Sequence, residues 1–141
     1  MEFKDVVLNR HSVRKYQEEM FPSGTLIDEI IELAGTAPSA GGLKAYEVFI
    51  TKEKIIKQVD APFYIVVCAW PDKSGSKYGE RGQTLYSIQD ATIFASYIQL
   101  LAVDVGLSTV WIGAFNENKI RETMGISKHL RPIAIIPIGY E

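Results

Sequence analysis

Hydrophobic and polar positions divide the chain into a short series of elements. Phe3, Val6 and Val7 are spaced as on one face of a helix, predicting a short first helix over residues 2–9. A polar, basic stretch follows, Arg10-His11-Ser12-Val13-Arg14-Lys15-Tyr16. Leu26, Ile27, Ile30, Ile31, Leu33 and Ala34 then recur with a period near 3.6, predicting an amphipathic helix of about three turns. Pro22 and Ser23 mark its start, with Thr25 as an alternative cap. It should end near Gly35, because Pro38 disfavours helix in the residue before it. Pro38-Ser39-Ala40-Gly41-Gly42 reads as a loop. Tyr46 to Thr51 reads as a strand, and the β-branched and aromatic run at 63–70 as a buried strand. Residues 71–83 scatter Pro71, Gly75, Gly79 and Gly82 among charges, the pattern of a loop and a candidate flap.

The longest element is predicted from about Thr84 to Val105. Leu85, Ile88, Ala91, Ala95, Ile98, Leu101, Ala102 and Val105 recur on it, and Phe94, Tyr97 and Leu100 widen the stripe. A helix apolar around most of its girth must be covered on most sides, either by a partner subunit or by the rest of one domain. Gly106 suits a C-cap. Leu107 to Phe115 reads as a strand ending in small residues. Asn116 caps a short helix running to about Met124. A last strand lies within Arg131 to Tyr140, where Pro137 cannot donate to a ladder and so marks an edge or a bulge. The order α, α, β, β, α, β, α, β predicts an α+β fold, a mixed sheet of about four strands flanked by helices.

The length, 141 residues, suits a single domain over 1–141 with a core of its own. The net charge of −2, with no acidic or basic block, gives no reason to expect a nucleic-acid or anionic-membrane partner. Charges begin at Glu2, no signal-peptide core is visible, and no apolar run approaches the roughly 20 residues of a membrane helix. A soluble, cytoplasmic protein is the expectation. Cys68 is the only cysteine, which excludes an intramolecular disulfide and fits a reducing compartment. Its apolar surroundings predict a buried core thiol.

Acid–base and nucleophile candidates are few. There is no G-x-G-x-x-G, P-loop, C-x-x-C, H-E-x-x-H or G-x-S-x-G motif, and His11 and His129 with one cysteine argue against a zinc site. Such a chain, if an enzyme, draws its chemistry from a cofactor. Three segments are candidates to hold one. Arg10, Ser12 and Arg14 alternate, so an extended backbone points two guanidinium groups and a hydroxyl to one side, a set suited to a phosphate. Pro38-Ser39-Ala40-Gly41-Gly42 lets backbone approach a flat ring. Trp111-Ile112-Gly113-Ala114-Phe115 could offer backbone N–H groups at a strand end. Each has a plainer reading: a solvated basic turn, a loop after a helix, and close strand packing.

Taken in order, these segments resemble the nitroreductase family. Arg10-His11-Ser12-Val13-Arg14-Lys15-Tyr16 is similar to its R-R-S-V-R-x-[FY] opening, and Ala37-Pro38-Ser39-Ala40-Gly41-Gly42 to its A-P-S-x-x-N-x-Q-P-W loop. Tyr78-Gly79-Glu80-Arg81-Gly82, Ile88-Gln89-Asp90-Ala91, Gly106 to Gly113 and Arg131 to Tyr140 stand in the same order as in that family. The resemblance implies the nitroreductase-like fold, with the long central helix at a homodimer interface and FMN bound between subunits. It implies that Arg10, His11, Ser12 and Arg14 approach the phosphate, ribityl chain and pyrimidine edge. Pro38, Ser39, Ala40, Gly41 and Gly42 would come from the partner to line the ring, while Ile112, Gly113 and Ala114 would lie near flavin N5 and O4. The implied activity is hydride transfer from NAD(P)H through the flavin to an electron-poor small molecule, with no protein nucleophile. This chain has Gly42 where the family usually has Asn, Lys44-Ala45-Tyr46 in place of Q-P-W, and Tyr97 where Asn is common. Its Ser-Ala-Gly-Gly-Leu form resembles the branch related to azoline-oxidising dehydrogenases. Many relatives continue past the position of Glu141 with a tail that supplies basic residues to the phosphate. Weaker FMN retention than in those relatives is therefore expected.

Overall fold

Every residue from Phe63 to Ala69 is buried, so this strand must be covered on both faces. In the computed structural model, which describes residues 1–141, it is one of two inner strands of a four-stranded sheet. The strands are β1 (Tyr46–Thr51), β2 (Phe63–Ala69), β3 (Ser108–Thr109) and β4 (Arg131–Gly139), in the order β1-β2-β4-β3. The helices are α1 (Phe3–Asn9), α2 (Gly24–Ala34), α3 (Pro71–Arg81), α4 (Ser87–Asp104) and α5 (Glu117–Met124). The fold is α+β, with α4 as its long central helix.

Alternate residues of β2 serve two cores. Phe63, Ile65, Val67 and Ala69, with Ile136 and Ile138 of β4, pack on Ile27, Ile30 and Ala34 of α2 and on Ala91, Phe94, Ala95, Ile98 and Ala102 of α4. Tyr64, Val66 and Cys68, with Ile135, face Val13, Tyr16, Ile56, Val59, Val110 and Ile120 on the other side. Cys68 is fully buried there, and burial pushes its thiol up to about 12, so it stays protonated and inert near neutrality.

Capping chemistry fixes the expected ends. Ser23 Oγ accepts from the Leu26 N–H at 3.1 Å to start α2, and Asn116 Oδ1 accepts from the Lys119 N–H at 2.9 Å to start α5.

Four expectations need correction. Residues 71–83 are not a loop: α3 covers most of them and runs through a π-type turn, Gly82–Tyr86, into α4. Pro71 opens the helix, where its missing N–H costs nothing. Gly82 serves contact rather than chain breaking, because a Cβ there would lie 2.6 Å from the Ser74 carbonyl oxygen. Only Gly79, at φ 63° and ψ −142°, leaves helical geometry. Second, the strand expected over Leu107 to Phe115 shrinks to β3 plus a bridge between Ile112 and Ile135. Third, Pro137 lies within an inner strand, opposite Tyr64, and not at an edge; the register shift lies between Val67 and Cys68 instead. The second and third corrections share a cause. Ile135 gives both its backbone groups to Ile112, so Pro137, two residues on, faces the same side, where it has no N–H to offer. The ladder there opens between the Thr109–Ile138 and Ile112–Ile135 pairs. Last, all four named strands pair antiparallel; the parallel component of the sheet is one bridge, Ser12 to Thr109.

Candidate functional site

The basic segment is laid along the sheet edge by backbone bonds. The Val13 N–H donates to Thr109 O at 3.0 Å, and the Gln17 N–H to Tyr140 O at 2.8 Å. Val13 and Tyr16 turn into the core, and the Tyr16 hydroxyl lies within reach of both Val13 O and Pro137 O. Burial raises the Tyr16 phenol far above its usual range, so it acts as a neutral tether. With Val13 pinned inward, Arg10, Ser12 and Arg14 are left exposed, and none of their side chains has a hydrogen-bond or ion-pair partner within the chain. Two unpaired guanidinium groups and a free hydroxyl on one short segment are a donor set suited to a phosphate and polar chain. His11 is already engaged: Nδ1 lies 2.8 Å from Asn9 O and Nε2 2.9 Å from Glu141 Oε2.

The third segment lies beside the first. Ser12 bridges Thr109, and the chain continues to Ile112, whose N–H donates to Ile135 O at 2.9 Å. The carbonyl of Ala114 accepts from Gln58 Nε2 at 3.1 Å, while the Gly113 and Ala114 N–H groups are unpartnered on an exposed turn. Arg14 also borders a cleft of about 600 Å³ shared with Lys52, Gln58 and Phe63. The bridge of Ser12 to Thr109 puts Arg10, Ser12 and Arg14 on the same sheet edge as the segment that leads to Gly113 and Ala114, two groups of free donors able to hold an anionic and a flat polar group.

The loop 38–42 is held elsewhere, against α3 and the start of α4. Gly41 adopts φ 62°, and a Cβ there would meet the Tyr78 hydroxyl at 2.6 Å. Pro38, Ser39 and Ala40 border a cleft of about 550 Å³ with Tyr86, Ile88 and Gln89. Its tie to α4 is Asp90, only 3 % exposed, whose Oδ1 accepts from the Ala40 N–H at 3.0 Å and Oδ2 from the Ala45 N–H at 3.3 Å. In the sequence Asp90 stands within the Ile88-Gln89-Asp90-Ala91 motif with no role of its own. The signal available was a carboxylate on an otherwise apolar face of the long helix, which requires a partner.

The sequence model of the nitroreductase family matches residues 7–60 and 57–140. The chain belongs to the nitroreductase family. It is 29% identical over 156 residues to a Methanothermobacter thermautotrophicus protein whose name combines NADH dehydrogenase and NAD(P)H nitroreductase, covering 99% of this chain and 78% of that one. Among solved structures, a nitroreductase family protein of Clostridium difficile 630 superposes with a TM-score of 0.86 at 30% identity, over 100% of this chain and 85% of that one. An FMN-dependent nitroreductase of Clostridium difficile R20291 superposes with a TM-score of 0.81 at 29% identity, over 96% and 86% of the two chains.

Proposed function

We propose that this member of the nitroreductase family is an FMN-dependent NAD(P)H oxidoreductase, acting as a homodimer on an electron-poor small molecule such as a nitroaromatic or a quinone. One observation carries the reading: Arg10, Ser12 and Arg14 stand exposed and unpaired on a segment bridged to Thr109, whose chain runs on to the free N–H groups of Gly113 and Ala114. The names of two relatives, one an NAD(P)H nitroreductase and one an FMN-dependent nitroreductase, agree with it. When bound, the flavin supplies hydride acceptance and donation. Arg10 and Ser12 would hold its phosphate and polar chain, and Arg14 would place positive charge at the pyrimidine edge. Gly113 and Ala114 would donate to the ring. The loop 38–42 of a partner subunit would cover the ring. No helix of the chain is long and apolar enough to cross a membrane.

The visible absorbance of the purified protein, before and after anaerobic NADH or NADPH, tests this. Flavin bands that bleach with a nicotinamide donor are the expected result. Absence of flavin, and of any affinity for added FMN, overturns the reading. A second reading, a flavin carrier without efficient turnover, is favoured by one feature. The loop 38–42 has Ser39 as its single polar side chain, and Ser39 Oγ is already taken by the Lys44 N–H at 3.0 Å. Flavin bands that do not bleach would select the carrier.

A further inference from the structure

We infer that Asp90 is a positioning residue that holds the loop 38–45 in a strained conformation competent to line the flavin. The inference rests on the function proposed above for that loop. Three consecutive facts lead to it. First, Asp90 is a carboxylate 3 % exposed with no cation beside it, and its two oxygens are spent on two backbone N–H groups, those of Ala40 and Ala45. A buried carboxyl group is costly unless its oxygens are hydrogen-bonded, so one whose two oxygens both serve backbone N–H groups marks a backbone that needs those acceptors. Second, the two bonded residues bracket the loop. The Gly42 N–H donates to Ser39 O at 3.0 Å and the Leu43 N–H to Ala40 O at 3.2 Å, a 3-10 turn over Ala40–Gly42, so the carboxylate takes the first N–H of that turn and, through Ala45, also the backbone that leaves it. Third, the loop is strained. Lys44 adopts φ 50°, and it is the chain's single non-glycine residue in that region. A side chain there is disfavoured, and such a conformation persists only when its surroundings over-determine it.

Asp90 on one side, the Ser39 hydroxyl on the other and the Tyr78 hydroxyl against Gly41 supply that determination. The loop is rooted by Tyr46, which follows it directly and stacks on Phe94 of α4 with ring centroids 4.2 Å apart. The helix that carries Asp90 therefore also fixes the far end of the loop. The consequence is that the backbone of residues 38–42 is set before any ligand arrives, so ordering it adds little to the cost of binding.

The test uses Asp90→Asn in the full-length protein. Asn is nearly isosteric, but its single carbonyl accepts one of the two N–H groups and its amide turns a donor toward the other. Amide hydrogen exchange is expected to speed up roughly tenfold or more at Ala40 and Ala45, while β2 and β4 amides keep wild-type protection. The dissociation constant for FMN, read by quenching of flavin fluorescence, is expected to rise by about tenfold. Lys44→Gly, which removes the strain the carboxylate opposes, is expected to restore part of that affinity in the Asp90→Asn background. A general loss of stability would instead speed exchange at the β2 and β4 amides as well. Wild-type exchange at Ala40 and Ala45, or an unchanged FMN dissociation constant, overturns this inference. Wild-type protein without affinity for FMN overturns the function it rests on, while the exchange data still show whether Asp90 holds the loop.

Discussion

Arg14 is where the proposed function is most exposed to test. Its guanidinium is unpaired and borders the cleft that continues toward Gln58. Removing a charged donor from its hydrogen-bond partner, here the pyrimidine edge of the flavin, typically costs about 1.5–3 kcal/mol. Arg14→Gln is therefore expected to weaken FMN binding by roughly 10- to 100-fold, leaving the fold intact because Val13 and Tyr16 carry the segment's burial. A flavin titration at two salt concentrations checks this, since the difference in affinity is electrostatic and salt must narrow the gap between wild type and variant. His11 makes a separate prediction. The Asn9 carbonyl, and after it the Glu141 carboxylate, raise its pKa above the ordinary 6.5. Folding thus favours the charged ring: its contribution to stability is fully present below pH 6.5 and is lost as pH rises through the raised value. Glu141→Gln should bring the His11 midpoint back toward 6.5 without reaching it, because Asn9 remains; proton NMR of the ring follows this directly. The alternation of Arg10, Ser12 and Arg14 was legible because it is a local period. The role of Asp90 was not, because its partners Ala40 and Ala45 lie 50 and 45 residues earlier and meet it only in the folded chain.

At the scale of elements, the expectations that rest on caps and periods agree with the structure. Ser23 and Asn116 cap α2 and α5 with their side chains, and the β1 pattern marks the strand Tyr46–Thr51. The α3 segment defeats the same logic because glycine carries two opposite meanings. In a chain read one residue at a time, glycines among charges signal a turn. In the fold, Gly82 is small because the Ser74 backbone of the neighbouring turn presses on it. Gly82→Ala should therefore destabilise the protein even though Ala is the better helix former, by about 1–3 kcal/mol from the overpacking. Thermal unfolding measures it; a variant as stable as wild type would show that α3 yields easily. Ser74 Oγ, buried there without a partner, is a further reason why this packing has little slack.

Taken whole, the chain leaves apolar surface that its own fold does not cover. Phe3, Val7 and Leu8 on α1 and Val105 after α4 are exposed, and Tyr97 on α4 is 36% exposed. The rest of the domain covers one side of α4, sealing Phe94, Ala95 and Ile98 in the core, while its other side stays open to the proposed second copy. Tyr97→Glu is expected to leave the circular dichroism unchanged and to convert the proposed dimer to monomer in light scattering, since Glu tolerates the helix but not burial against a second copy. By itself the sequence determined the α+β class, the helix caps at Ser23 and Asn116, the buried strand expected over 63–70 and found over 63–69, and the basic segment, because each is written in neighbours a few residues apart. Tertiary structure alone decided that Pro137 sits inside the sheet, that β3 stops after Thr109, that Pro71–Arg81 forms a helix broken only at Gly79, and that a carboxylate on α4 grips a distant loop. Those outcomes depend on which backbone groups meet across long sequence separations, and a missing N–H or a buried oxygen acquires its meaning only from what the fold sets opposite it.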